Sequence, residues 1–330
     1  MSRAETRAGT EAPGAAAEST AADAVAAGPA AAKGAGAVAG AGRPVSPLWS
    51  LGLLRSELLI TFRRWRTLAL LAVLAAVPVL IGIAVRIETG DGSTVGGGDR
   101  AGGQGGGGPA FLAQISNNGL FLVFSALAAT LPVFLPMAVG VVAGDAVAGE
   151  SSGGTLRYLL VAPAGRTRLL LTKFATVLSF CLAATLVVAA SALAVGALLF
   201  PLGDLTTISG TRISYADGLG RALLIALVVA ASLVGMAALG LFVSTLTGSG
   251  IAAMATTVGL LITVQILDQI PQLDALGPYF FSHYWLSFAD LMREPVYWDD
   301  LIRNLGLQAL YAAVFGSAAW ARFTTKDVTA

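Results

Sequence analysis

Six runs without a single Asp, Glu, Lys or Arg dominate this chain: Thr67 to Val85, Gly119 to Ala143, Phe174 to Phe200, Ala222 to Val243, Ile251 to Leu267 and Leu305 to Ala321. At about 1.5 Å per residue, about 20 apolar residues cross a hydrocarbon core about 30 Å thick. Inside lipid each segment must satisfy its own backbone, which leaves the α-helix as the form for such runs. The predicted fold class is therefore all-α: a polytopic membrane protein with six transmembrane helices, partnered by the lipid bilayer. Only 12% of residues are charged, against about 25% in soluble domains. Charge is costly at a helix centre and collects in the loops.

Within these runs, Pro132 and Pro136 predict a kink in the second span, because proline removes a helical hydrogen bond and crowds the preceding turn. The uncharged stretch from Ala222 to Leu267 is too long for one helix, so the polar turn Ser244 to Gly250 divides it in two.

Residues 1–46 are Ala, Gly and Pro with scattered charges. That composition predicts a disordered tail, and its lack of a continuous run of large apolar residues argues against a cleaved signal peptide. Residues 47–66 carry Leu51, Leu54, Leu58, Phe62 and Trp65 at helical spacing, with Ser56, Glu57, Arg63 and Arg64 elsewhere on the wheel. This pattern predicts an amphipathic interfacial helix whose basic end rests among anionic headgroups. Residues 67–330 then form the transmembrane domain, with a polar loop at 145–173 and loops on the opposite face at 87–118, 201–221 and 268–304.

Basic residues near the span ends set orientation. Arg55, Arg63, Arg64 and Arg66, then Arg157, Arg166, Arg168 and Lys173, then Arg322 and Lys326 fall on one face. The other face has Arg86, Arg100, Arg212, Arg221, Arg293 and Arg303, diluted by Asp204, Asp217, Asp290, Glu294, Asp299 and Asp300. Both termini and the 145–173 loop are thus expected in the cytoplasm of a multi-pass plasma-membrane protein. The outer segment Asp268 to Asn304 holds Tyr279, Phe280, Phe281, Tyr284, Trp285, Phe288, Tyr297 and Trp298, an interfacial aromatic belt on one or two short helices.

Several chemistries find little footing. One cysteine, Cys181, and one histidine, His283, cannot build a disulfide framework or a protein-only zinc site. No GxxxxGK[ST] loop is present. A serine protease using Ser249 would need a histidine at matching membrane depth, and His283 falls on the opposite face. No catalytic, cofactor-binding or metal-ligating residue is assigned, and no nucleic-acid partner is expected. The uncharged span interiors also weaken an ion-coupled carrier, leaving Asn117, Asn118, Thr130, Ser179, Thr185, Ser191, Thr256, Thr257, Thr263 and Gln265 as interhelical polar contacts.

The stretch Gly149 to Arg168, followed by Lys173, is different: compact polar chemistry wedged between two apolar segments. Gly153 and Gly154 break the preceding helix, and Thr155 can cap a short new one. Leu156, Leu159 and Leu160 give that helix an apolar face before Pro163 and Gly165 end it. Arg166, Arg168 and Lys173 return the chain to the membrane as a basic collar. Such a knob suits a soluble partner.

Glu150, Gly154, Thr155, Leu159, Leu160, Pro163, Arg166 and Lys173 resemble the loop signature of ABC-2 type transporter permeases. The ending Trp320 to Val328 is similar to that family's closing pattern. The resemblance covers about Leu48 to Val328, and departs from the pattern in the Ser-Ser-Gly-Gly run at 151–154. It implies the permease subunit of an exporter, paired with a second permease as homo- or heterodimer and with a separate ATP-binding subunit that carries ATP and Mg. The chain itself would not be an enzyme and would bind no cofactor. Glu150, Gly154, Thr155, Leu156, Leu159, Leu160, Pro163, Arg166 and Lys173 would couple it to the ATPase. A membrane scaffold or assembly subunit with no path of its own is the alternative.

Overall fold

A computed structural model describes residues 47–90, 115, 117–153, 165–207 and 209–325. The predicted tail at 1–46 and the knob from Gly154 to Ala164 lie outside them. Nine α-helices are described: α1 Pro47–Arg63, α2 Trp65–Gly90, α3 Phe121–Thr130, α4 Phe134–Ser152, α5 Arg166–Leu199, α6 Tyr215–Ser232, α7 Val234–Leu246, α8 Gly250–Asp268 and α9 Asp299–Thr325. Five stretches are long and apolar enough to cross a membrane: α2, α4, α5, α6 with α7, and α8. The chain is a mostly helical, polytopic membrane protein.

The second predicted span is displaced. It is broken at Leu131 to Val133, so that the ten residues of α3 form a separate buried helix and the membrane-length helix α4 starts beyond the break. Pro132 is the physical cause, since it cannot donate to the ladder and its ring crowds the preceding turn; Leu131 before it still has helical backbone angles, and the chain leaves the helix at Val133. The Pro132 carbonyl accepts a hydrogen bond from the Gln265 side chain of α8, which covers an acceptor that lipid would leave bare. Pro136 sits in the first turn of α4, where a missing N–H is harmless.

The fourth predicted span is also interrupted, at Leu233 between α6 and α7. No proline or charge marks the spot. A buried polar cluster does: Asn304 donates to Ser232 Oγ at 2.6 Å, and Gln308 Oε1 accepts the Gly235 N–H at 3.1 Å. Gln308 Nε2 reaches the Phe281 carbonyl at 2.8 Å and Asn304 Oδ1 at 3.2 Å. With Asp299, Asp300, Arg303 and Arg322, these side chains make α9, which at 27 residues is long enough to span, less apolar than the five stretches above.

α4 and α7 occupy the centre, with α8 against α4, α9 against α7, and α5 touching α1, α2, α3, α4 and α6. Small residues let backbones approach. A side chain at Gly144 would collide with the backbone of Met254 in α8, and one at Gly240 with Ala143. Close contact of this kind drives helix association in lipid, where burial alone offers little.

The loops assigned to opposite faces stay apart. At one end, Asn118 donates to the Gly203 and Asp204 carbonyls, both at 3.0 Å, and Arg221 to the Leu291 carbonyl at 3.2 Å. Here a two-residue hairpin, β1 Leu205–Thr206 with β2 Arg212–Ile213, adds a strand pair to the expected all-α fold. Its turn uses Gly210 at φ 83°, a conformation glycine tolerates best. The aromatic segment contains three 3-10 helices, Pro271–Leu273, Gly277–Tyr279 and Trp285–Met292. Tyr279, Tyr297 and Trp298 are exposed as a belt requires, but Phe281, Trp285 and Phe288 are buried against the bundle. Those three of the eight rings are core, and Phe280 and Tyr284 are half-buried.

Candidate functional site, the base of the 149–173 loop

The loop's two ends meet at the end of the bundle away from the hairpin. α4 stops at Ser152, where the Gly153 N–H bonds the Gly149 carbonyl at 3.1 Å, as expected for a glycine-broken helix. The 34 residues of α5 extend about 51 Å, well beyond a core about 30 Å thick. Its first two turns, Arg166 to Lys173, therefore continue the span instead of forming loop.

Lys173 is only 3% exposed and is ion-paired with both Glu150 of α4 and Glu57 of α1, the latter at 3.4 Å. A buried ammonium survives only when its charge is compensated, and two carboxylates do so here. The basic collar is thus corrected in part: Arg166 and Arg168 remain half-exposed, whereas Lys173 points into the bundle. The wheel assigned to 47–66 is corrected too. Leu54, Leu58 and Phe62 are half-buried, and Phe62 lies 6.4 Å from the Phe180 ring, but Glu57 shares that inward stripe. The helix ends at Arg63, and the turn at Arg64 leaves Trp65 82% exposed instead of in line with Phe62.

Beside this triad lies a second one. Arg64 and Arg66 reach the same Asp145 Oδ2, at 2.8 and 3.0 Å. The Asp145 carboxylate also lies against Gly149 and against Gly250, the first residue of α8, so that a side chain at either glycine would strike it. A carboxylate at a helix N-terminus gains from the helix dipole. A cleft of about 40 Å³ separates the two triads and is lined by all six charged side chains.

The returning strand of the loop is fastened elsewhere. Arg166 Nη1 donates to the Thr324 carbonyl at 2.9 Å, and Trp320 Nε1 donates to Thr167 Oγ1 at 2.9 Å. The start of α5 is thereby stapled to the end of α9, and a cation meets the negative end of that helix. Between loop and core, Ser244 of α7 donates to the Gly144 carbonyl at 2.6 Å and accepts the Val147 and Ala148 N–H groups at 3.0 and 2.9 Å. One hydroxyl thus bridges Gly144 and Ala148, partners in a regular helical ladder.

Of the predicted site residues, Glu150 and Lys173 are paired at this base, while Arg166 is held apart from them on the Thr324 carbonyl of α9. Gly154, Thr155, Leu156, Leu159, Leu160 and Pro163 lie outside the described residues. Glu57, Asp145, Arg64 and Arg66 were missed as partners, although Glu57's place three residues after Leu54 and one before Leu58 was a legible signal. Ser249 and His283 are kept apart. Ser249 caps the start of α8, while His283 bonds Asp268 at its far end at 2.9 Å, across a 19-residue helix about 28 Å long.

A family described as a protein of unknown function, DUF2705, matches residues 105–329. The chain belongs to the DUF2705 family. The matched region of this DUF2705 chain includes Asp145, Glu150, Arg166 and Lys173 but not α1, which supplies Glu57. Among curated proteins none matches the chain.

Proposed function

We propose that the chain is the permease subunit of an ATP-driven ABC-2 type exporter in the plasma membrane, with both termini in the cytoplasm. In this reading α9 is the sixth span and α1 lies in the interface. A second permease completes the membrane path, and ATP with Mg is bound and hydrolysed on a separate subunit that seats the segment Thr155 to Pro163.

One observation carries the reading. Glu150 and Lys173 pair across the loop base and share Glu57, so the loop grows from a fixed node of α1, α4 and α5. Packed helices move as bodies instead of deforming smoothly. A push on the loop would therefore be delivered to three helices together, and through Arg166 to α9. Leu156, Leu159 and Leu160 would fill the ATPase socket, with Gly154 and Pro163 bounding the knob. The apolar span interiors leave cargo recognition to surfaces between subunits.

The test is affinity purification of the full chain from its native membrane in mild detergent. An ATP-binding subunit should co-purify, and Leu159→Asp with Leu160→Asp should release it while the chain remains folded. Recovery of the chain without any ATPase, or retention of the ATPase by the double variant, would sink the proposal. The scaffold alternative would then gain whatever other partner co-purifies.

A further inference from the structure

At the bundle end carrying the hairpin, two clefts flank helix α6. The first, about 450 Å³, is almost wholly apolar and runs between Val123 of α3, Leu186 and Leu193 of α5, and Leu219, Leu223 and Ala226 of α6. The second, also about 450 Å³, is lined by Ile213, Leu224, Asp217, Arg221 and Glu294. Both are within the size range of small-molecule sites. Gly220 lines both. It is exposed, and nothing stands within 4 Å of where its side chain would begin, so the ridge between the clefts is bare backbone.

The chemistry of the two clefts differs in a useful way. α5 and α6 belong to membrane-length stretches, which sets the apolar cleft against acyl chains. Its neighbour holds one guanidinium and two carboxylates: Arg221 Nη2 meets Glu294 Oε2 at 3.3 Å while its Nη1 donates to the Leu291 and Arg293 carbonyls at 3.2 and 3.5 Å, and Asp217 lines the same cleft one turn earlier on α6. Asp217 accepts from Ser214 Oγ at 2.7 Å, and a carboxylate has acceptor capacity beyond one such bond.

We propose that this double cleft binds one zwitterionic aminophospholipid, an acyl chain in the apolar groove and the head across Gly220 in the polar one. The phosphate would face the Arg221 guanidinium through a single charge-assisted hydrogen bond, since Nη1 already donates to the Leu291 carbonyl and Nη2 to Glu294. The primary ammonium would donate to Asp217 and Glu294. A quaternary choline head has no N–H to donate, and an anionic glycerol head would meet two carboxylates with one cation. The site is remote from the loop base and does not depend on the transporter reading.

The experiment uses the full chain, delipidated in mild detergent, with phosphatidylethanolamine, phosphatidylcholine and phosphatidylglycerol of identical acyl chains as probes and native mass spectrometry as readout. Phosphatidylethanolamine should be retained at about tenfold lower concentration than either other lipid. Gly220→Phe should wall the clefts apart and weaken that retention about tenfold, with circular dichroism and the thermal midpoint unchanged. Glu294→Gln removes one carboxylate and should move the preference toward phosphatidylglycerol, which keeps the test open if the phenylalanine variant misfolds. Equal retention of the three lipids, full retention by folded Gly220→Phe, or an unaltered preference in Glu294→Gln would each overturn the proposal.

Discussion

Glu150 and Lys173, 23 residues apart in the chain, pair where α4 and α5 leave the bundle and so close the base of the loop they bracket. The bond ties the last turn of α4 to the second turn of α5, with the helical residues 151–152 and 166–172 lying between its two partners.

Removing the shared cation should be costly. Lys173→Met leaves Glu57 and Glu150 facing each other in a site with little water, and breaking a buried pair typically costs about 3 to 5 kcal/mol. Unfolding in detergent should show a loss of that order, while adding Glu150→Gln to Lys173→Met should recover part of it. Strict additivity of the two substitutions would show that the residues are uncoupled.

Asp145→Asn should act more weakly. Arg66 is 61% exposed and Arg64 38%, and exposed pairs contribute only about 0.2 to 1 kcal/mol each. A loss near 1 kcal/mol is expected at low salt. Because salt screens such pairs, the gap between variant and parent should narrow in about 1 M salt. A gap that stays constant would argue that Asp145 acts through packing on Gly250 instead of through its charge.

Ser244→Ala deletes three hydrogen bonds to α4 while changing almost no volume. Interhelical polar contacts in membranes are worth about 0.6 to 1.7 kcal/mol, so exchange of the Val147 and Ala148 amides should quicken by about three- to eighteenfold. Unaltered exchange at those amides would sink the idea that the hydroxyl braces α4 above the loop.

Gln308→Leu strips the Gly235 N–H and the Phe281 carbonyl of their bonds to one side chain. Leaving buried groups bare costs about 1 to 3 kcal/mol, and the thermal midpoint should fall accordingly. If the leucine variant is as stable as the parent, the α6–α7 break has another cause.

Much of the fold was legible along the chain. Charge-free runs marked four of the five membrane-length stretches, since the cost of burying charge in lipid acts on each residue locally; the other, α4, begins midway along its run and carries Asp145 and Glu150 beyond the run's end. Gly153 announced the end of α4, and Pro132 announced a disturbance. The full break at Pro132 was less legible, because its size depends on Gln265 arriving from α8 to take the freed carbonyl. The break at Leu233 had no local mark. It depends on Asn304 and Gln308, more than 70 residues away, supplying bonds that an uninterrupted helix would not need.

The charged residues divide the same way. By itself the sequence determined that Glu57, Asp145, Glu150 and Lys173 belong near the ends of apolar runs, because hydropathy and helical length depend only on order along the chain. Only the tertiary structure decided that Lys173 turns inward to Glu57 and Glu150, and that Arg64 and Arg66 share Asp145. The reason is geometric: which side of a helix meets which neighbour depends on rotation, break points and close glycine contacts between helices far apart in the chain.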